Sequence, residues 1–298
     1  MQKRLFIFAS YDKENMIDEA LMYYLRALDK LGDIIFTMDN DAHTAELAKV
    51  KALPNVIHAT AARHGEYDFG SYKRGYEYAT KKNILKKYDF IYFVNDSVYG
   101  PLYDLRPILE KMESENAGNA FGLIGLHSTV NEQYGYPDHV QSWFVGIAAP
   151  LCATPWFAQF MQSVEHQESK NQIVWKYEVG LSQLLMSHNV KIGRLEKKIS
   201  GLKIYHRYID TLPFIKKLSI HNIHTTKELM RIAPVDFQQP MMASITRLEL
   251  HQSPYKTIWK LKLFNKLTTI MLEQKRDGSE YRLWIFKILP IKFLRYKD

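Results

Sequence analysis

The densest run of chemically capable side chains lies between Tyr67 and Leu102, in two clusters. The first, Asp68-Phe69-Gly70-Ser71-Tyr72-Lys73-Arg74-Gly75, places a carboxylate, a hydroxyl and two cations where a helix is expected to start. Free amides at a helix N-terminus attract anions. Positive charge in a first turn opposes the helix dipole, so Lys73 and Arg74 point to a ligand rather than to helix stability. The second cluster, Asn95-Asp96-Ser97, ends an apolar strand expected over 90–94. Strand ends of α/β sheets are where ligands bind. Together the clusters read as a site for a nucleotide sugar, whose diphosphate leaves and needs positive charge near it. A divalent cation, Mg²⁺ or Mn²⁺, held by Asp96 and the phosphate oxygens is one source of that charge. Asp96 is the only carboxylate in its cluster, so the basic side chains are the other source.

Further candidates are spread along the chain. Glu178 stands at an expected helix start and can deprotonate an acceptor hydroxyl as a general base. A carboxylate there is also an ordinary partner for the helix dipole. His139, Gln141, Ser142 and Trp143 form a polar group beside an indole, suited to binding and stacking an acceptor sugar; the plain alternative is a core tryptophan. Asp12 and Asp39 end the first two expected strands, where a nucleoside would lie. His127 and His206 are further potential metal ligands, though a lone histidine is more often structural.

The elements that must position these groups alternate. Strands are expected over 4–9, 33–38, 55–59, 90–94, 120–126, 139–148 and 190–195. Helices are expected over 12–31, 45–53, 70–87, 105–112, 155–164 and 178–188. That alternation implies an α/β fold, a mostly parallel sheet with covering helices. Beyond about residue 200 the pattern changes. Helices are expected over 212–217, 224–232, 256–272 and 282–295, the third from the spacing of Trp259, Leu263, Leu267 and Ile270. The expected division is a catalytic domain over 1–220 and a basic helical extension over 221–298.

Composition limits the classes. A hydrophobic content of 46% over 298 residues supports a sizeable core. One cysteine, Cys152, excludes an internal disulfide framework and fits a reducing compartment. No apolar run approaches the roughly 20 residues that span a bilayer. The net charge of +8 is uneven: residues 1–200 carry 22 Lys+Arg against 24 Asp+Glu, and residues 241–298 carry 12 against 5. A basic tail suits an anionic membrane surface or contact with a partner, and the plain alternative is a solvated basic helix pair. The acidic balance of the first 200 residues argues against a nucleic-acid partner.

Three of these motifs carry a family resemblance. Asp68-Phe-Gly-Ser-Tyr-Lys-Arg-Gly, Tyr88-Asp-Phe-Ile-Tyr-Phe-Val-Asn-Asp-Ser-Val-Tyr-Gly-Pro-Leu and Val140-Gln-Ser-Trp-Phe resemble the rhamnan synthesis protein F family, over about residues 1–220. The resemblance implies a GT-A-like glycosyltransferase: a Rossmann-like nucleotide-binding sheet fused to an acceptor-binding half. It implies a donor such as dTDP-rhamnose or a UDP-sugar. Asn95-Asp96-Ser97 would stand where GT-A enzymes carry Asp-x-Asp, with Asn95 and Ser97 replacing the outer acids. Glu178 would fall where inverting members place their base.

The expectation is therefore a cytoplasmic transferase, peripheral on the inner face of the membrane. It would extend a lipid-linked oligosaccharide of O-antigen, capsule or rhamnan type, with its basic tail on the inner leaflet. Asp12, Asp39, Asp68, Gly70, Ser71, Lys73, Arg74, Asn95, Asp96 and Ser97 would bind the donor. The alternative is a non-catalytic binding protein of the same fold.

Overall fold

In the computed structural model, residues 2–125, 139–195, 213–217, 230–250, 255–262, 269–275, 280–285 and 289–294 are described. The chain divides into two compact units, Met1–Met242 and Ala243–Asp298.

The first unit alternates strands and helices. In order these are β1 (Arg4–Ser10), α1 (Glu19–Asp29), β2 (Asp33–Met38), α2 (Thr44–Lys51), β3 (Val56–Ala61), α3 (Tyr67–Lys81), β4 (Phe90–Asn95), β5 (Val98–Tyr99), α4 (Arg106–Glu115) and β6 (Ala120–Gly125). Then follow β7 (His139–Ala148), α5 (Ala149–Cys152), α6 (Pro155–Gln162), α7 (Lys170–Ile173), a π-helical stretch (Val174–Val179), α8 (Gly180–Ser187), β8 (Ile192–Arg194) and β9 (Ile215–Lys216). The seven-stranded sheet has the order β3-β2-β1-β4-β7-β6-β8. The pairs β1–β2, β1–β4, β2–β3 and β6–β8 are parallel, and β7 runs against both β4 and β6. An α/β fold with a mostly parallel sheet, as expected, is what forms.

The reason lies in the strand sequences. β1 and β4 are buried along their whole length, as continuous apolar runs in parallel sheets are. Their alternate residues feed two cores. Phe6, Phe8, Tyr92 and Val94 pack with Leu21, Leu25 and Leu109 on the α1/α4 face. Leu5, Ile7, Ile91 and Phe93 pack with Tyr72, Tyr76, Phe157 and Leu181 on the α3/α6/α8 face. Asp18 caps α1 by accepting from the Leu21 amide at 2.9 Å. Gly75 lets α3 lie against the sheet, since a Cβ there would come within 2.5 Å of Ile7 Cγ2.

Topology then gathers the site. The C-terminal ends of β1, β2, β3 and β4 share one edge. Because β7 is reversed and Val94 pairs with Phe144, residues 139–143 enter beside the end of β4.

Three expected helices past residue 200 are corrected. Residues 215–216, expected in a helix, form β9, which pairs antiparallel with β5. Phe214 and Ile215 are buried, so this segment is held by packing and strand pairing rather than helix propensity. Where helices are expected over 256–272 and 282–295, the described residues form an antiparallel meander. Its strands are β10 (Tyr255–Lys262), β11 (Thr269–Lys275), β12 (Glu280–Ile285) and β13 (Leu289–Leu294), paired in sequence order. Spacings of three and four between apolar residues coincide with a helix, but this stretch is rich in Thr, Ile, Trp and Tyr, which favour strands. Asp277-Gly278, a hairpin signal, falls between β11 and β12. A helix not foreseen, Val235–Leu250, carries Pro240 inside it, which reads in sequence as a breaker. Phe237 in this helix stacks on Tyr23 at 4.2 Å. The expected helix over 224–232 falls mostly outside the described residues, as do His127 and His206. No helix among the described residues is long and apolar enough to cross a membrane.

Candidate active site

Four chain segments converge beyond the end of β4. Asp68 sits in the first turn of α3, next to Tyr67, whose φ of 57° starts the helix abruptly. Its Oδ2 accepts from Asn95 Nδ2 at 3.0 Å and from Ser142 Oγ at 2.9 Å. The Ser142 amide donates to Glu178 Oε1 at 3.2 Å, and its hydroxyl lies 3.4 Å from Oε2. Ser142 thus bridges two carboxylates. Burial, and then the like charge of Glu178, raise the Asp68 pKa. His139 Nε2 lies 3.6 Å from Glu178 Oε1.

Asn95 organises the turn after β4. Its amide donates to Asp68, and its carbonyl accepts from the Ser97 amide at 3.1 Å and hydroxyl at 2.6 Å. Asp96 faces the end of β1 instead. Its Oδ2 accepts from Ser10 Oγ at 2.7 Å and from the Tyr11 amide at 3.1 Å. Burial raises the Asp96 pKa, opposed first by the charge of Lys217.

Lys216 and Lys217 bring two cations to this end. The Lys217 amide donates to Ser97 O at 2.9 Å, fixing β9 beside the turn. Gly100, with φ of 143°, allows Pro213 and Phe214 to approach more closely than any Cβ would permit. Lys216 Nζ donates to Ser97 Oγ at 3.4 Å and lies 4.9 Å from the Trp143 ring centroid. Burial pushes its pKa down to about 8, while the charges of Glu178 and Asp68 act to hold it up. Sequence reasoning missed both lysines. They lie more than 110 residues from Asn95–Ser97 in a segment whose pairing with β5 no local pattern reveals.

The remaining expected residues are placed as follows. Asp39 anchors the loop before α3, accepting from the His64 amide at 2.7 Å and the Gly65 amide at 3.0 Å. Asp12 Oδ1 accepts from the Glu14 and Met16 amides, closing the loop after β1. Gly70 makes room for His64 and Glu66, and Ser71 Oγ lies 3.0 Å from His64 Nε2. Lys73 donates to Val164 O at 2.8 Å, away from Asp96. Arg74 pairs with Glu66 at 2.7 Å and lines a cavity of about 310 Å³ with Thr37, His58 and Tyr78. Trp143 is 2% exposed and donates to Gln141 Oε1 at 2.7 Å. Its face is covered by Lys216, so it offers no open face for stacking.

Glu178 owes its place to the π-helical stretch. Such widened turns recur at functional sites. The neighbouring Tyr177 is buried, and its hydroxyl donates to Ser163 O at 3.1 Å and accepts from the Glu165 amide at 2.9 Å. Lys73 grips the same loop through Val164 O. Lys73 and Tyr177, the residue before Glu178, thus bond to one loop, a different use of Lys73 from the one its sequence neighbourhood implies.

Among the described residues, no three His, Cys, Asp or Glu side chains gather to hold an ion. Asp96 Oδ2 already accepts two hydrogen bonds, and both ends of the Asn95 amide are engaged. The residues present do not fit a tightly held divalent ion.

The class is thus an α/β protein with two bridged carboxylates and two lysines beyond the C-terminal edge of a mostly parallel sheet. The profile described as rhamnan synthesis protein F matches residues 34–195, more than half of the chain, and the chain belongs to that family. No curated protein matches it. Among solved structures it is similar to the mannosyltransferase Ktr4p from S. cerevisiae, at 10% identity and TM-score 0.37, over 61% of this chain and 65% of that one. The structure of Ktr4p in complex with GDP aligns at 11% identity and TM-score 0.35, over 74% and 68%. The chain thus spans just under two-thirds of the first of these, and likeness this slight carries no functional argument.

Proposed function

We propose that this protein is a GT-A-like glycosyltransferase that moves a sugar from a nucleoside diphosphate donor to a hydroxyl of a bacterial surface polysaccharide. Family membership gives the setting. The observation that carries the reading is the Asp68–Ser142–Glu178 bridge facing Lys216 at the end of β4. In the reaction an acceptor oxygen attacks the anomeric carbon. The bond from that carbon to the phosphate oxygen breaks, and its electron pair leaves with the diphosphate. The acceptor proton passes to Glu178, which Ser142 and His139 hold in place, and the anomeric configuration inverts. Donor binding falls to the turn Asn95–Ser97 and the ends of β1 and β2, with dTDP-rhamnose or a UDP-sugar as the donor.

The acceptor in this reading is a lipid-linked oligosaccharide, with the basic C-terminal unit resting on the anionic inner leaflet. Each Lys or Arg near such a surface contributes roughly 1 kcal/mol. Deleting 243–298 should then reduce co-sedimentation with anionic vesicles, and unchanged co-sedimentation would exclude this role.

The test of transfer uses labelled dTDP-, UDP- and GDP-sugars with bacterial membrane lipids as acceptor. Label should enter the lipid fraction with the wild type and not with Glu178→Gln. Failure of every donor, together with failure to bind any nucleoside diphosphate, refutes the assignment.

A further inference from the structure

The turn after β4 presents one carboxylate whose hydrogen-bonding partners are protein groups, and two lysines arrive beside it from β9. We infer that Lys216, with Lys217 next to it, supplies the positive charge that receives the departing diphosphate, in place of a divalent ion held by the protein. This rests on the transferase reading above and adds the means by which its leaving group is stabilised.

Three observations carry it. First, the lysines are built into the site. β9 pairs with β5, Val98 opposite Lys216 and Tyr99 opposite Ile215, and the Lys217 amide is bonded to Ser97 O. Lys216, in β9, turns to Ser97 Oγ and Trp143, and Lys217, just past the strand, lies 5.3 Å from the Tyr99 ring centroid with its charge felt at Asp96. The two ammonium groups flank the turn Asn95–Ser97.

Second, the groups that would hold an ion are committed elsewhere. Asp96 Oδ2 accepts from Ser10 and Tyr11. Asp68 accepts from Asn95 and Ser142. A magnesium ion needs near-octahedral oxygen coordination at short range, and one oxygen of each of these carboxylates already accepts two hydrogen bonds. Third, Lys216 is a cation that burial makes costly, since its pKa falls to about 8 despite two nearby carboxylates. Phosphate oxygens would complete its solvation, so the group is prepared for an anion. Lys73 and Arg74 cannot share the task from where they lie, being bonded to Val164 O and to Glu66.

The experiment is calorimetric binding of UDP, GDP and dTDP to the full chain, in excess EDTA and again with Mn²⁺, for the wild type, Lys216→Met, Lys217→Met and Lys216→Arg. Transfer is measured in parallel. The nucleotide that binds should do so equally well in EDTA. Lys216→Met should weaken it about 10- to 100-fold and lower transfer by about 10²- to 10³-fold, the range seen on removing one transition-state donor. Lys217→Met should lose less, and Lys216→Arg should regain part of the binding with an unchanged melting temperature. Binding or transfer that vanishes in EDTA and returns with Mn²⁺ overturns the inference and leaves the transferase reading standing. So does a Lys216→Met variant that binds like the wild type. Binding of no nucleotide by the wild type overturns both.

Discussion

Arg4 and Glu113 are both fully buried, and they meet through Nε–Oε1 at 2.6 Å and Nη2–Oε2 at 2.7 Å. The Tyr92 hydroxyl donates to the same Oε1 at 2.6 Å, and Arg4 Nη1 reaches Leu31 O at 3.4 Å. Burial by itself lowers the Arg4 pKa, and the hydrogen bonds and charge of Glu113 more than reverse this. The pair ties β1, β4 and α4 together at the start of β1, remote from the site. Removing one partner strands a charge in the core, so Arg4→Met or Glu113→Leu alone should cost about 3–5 kcal/mol. Removing both leaves apolar groups of similar size. The double variant should fall within about 2 kcal/mol of the wild type, far short of the sum of the two single losses. Urea unfolding followed by tryptophan fluorescence measures all four proteins. If the double variant loses the sum of the singles, or if either single variant loses under about 1 kcal/mol, the electrostatic account of this contact is wrong.

Other expectations follow from the site and its supports. Glu178→Gln should lower kcat by about 10²- to 10⁴-fold, as loss of a general base does, with an unchanged circular dichroism spectrum; a rate within threefold of the wild type would remove Glu178 from the chemistry. His64 is packed among Asp39, Glu66, Arg74 and Arg63, and burial, then Arg74, push its pKa down to about 4. The unfolded chain binds this proton more readily, so stability is fully present above about pH 6.5 and falls by up to about 3 kcal/mol as pH drops towards 4. His64→Asn should flatten that slope in pH-dependent urea titrations. Gly75→Val should cost about 1–3 kcal/mol through overpacking against Ile7 and Ile35, read as a lower melting temperature.

The fold was largely legible where burial and local pattern agree. The continuous apolar runs of β1 and β4 fit strands buried on both faces, and the α1 periodicity matches the face that Leu21, Leu25 and Leu28 bury. The C-terminal strands were not legible, because the apolar spacing over 256–272 satisfies a helix, whereas cross-strand partners such as Leu272 for Trp259 and Ile285 for Ile270 decide otherwise in the described residues. Within the site, Asp68, Asn95, Ser142 and Glu178 were visible as residue types, and the structure brings them together. Their assigned tasks changed with distance. Lys73 and Arg74 are close to Asp68 in sequence, yet helix geometry turns them to other partners. Lys216 is far in sequence and close in space, and only the β5–β9 pairing shows this.

The π-helical stretch Val174–Val179 has a consequence for reading relatives of this chain. A helical residue turns about 100° about the axis, and a π turn holds one residue more than an α turn closes. Helix length therefore specifies the site as much as the glutamate does. In a relative one residue shorter here, a glutamate aligned with Glu178 would face a different neighbour, and a carboxylate one position along would take the place beside Ser142. An alignment gap in this stretch is thus a statement about chemistry, and counting residues from Ser169 to Ser182 is a better guide to a shared mechanism than matching the glutamate alone.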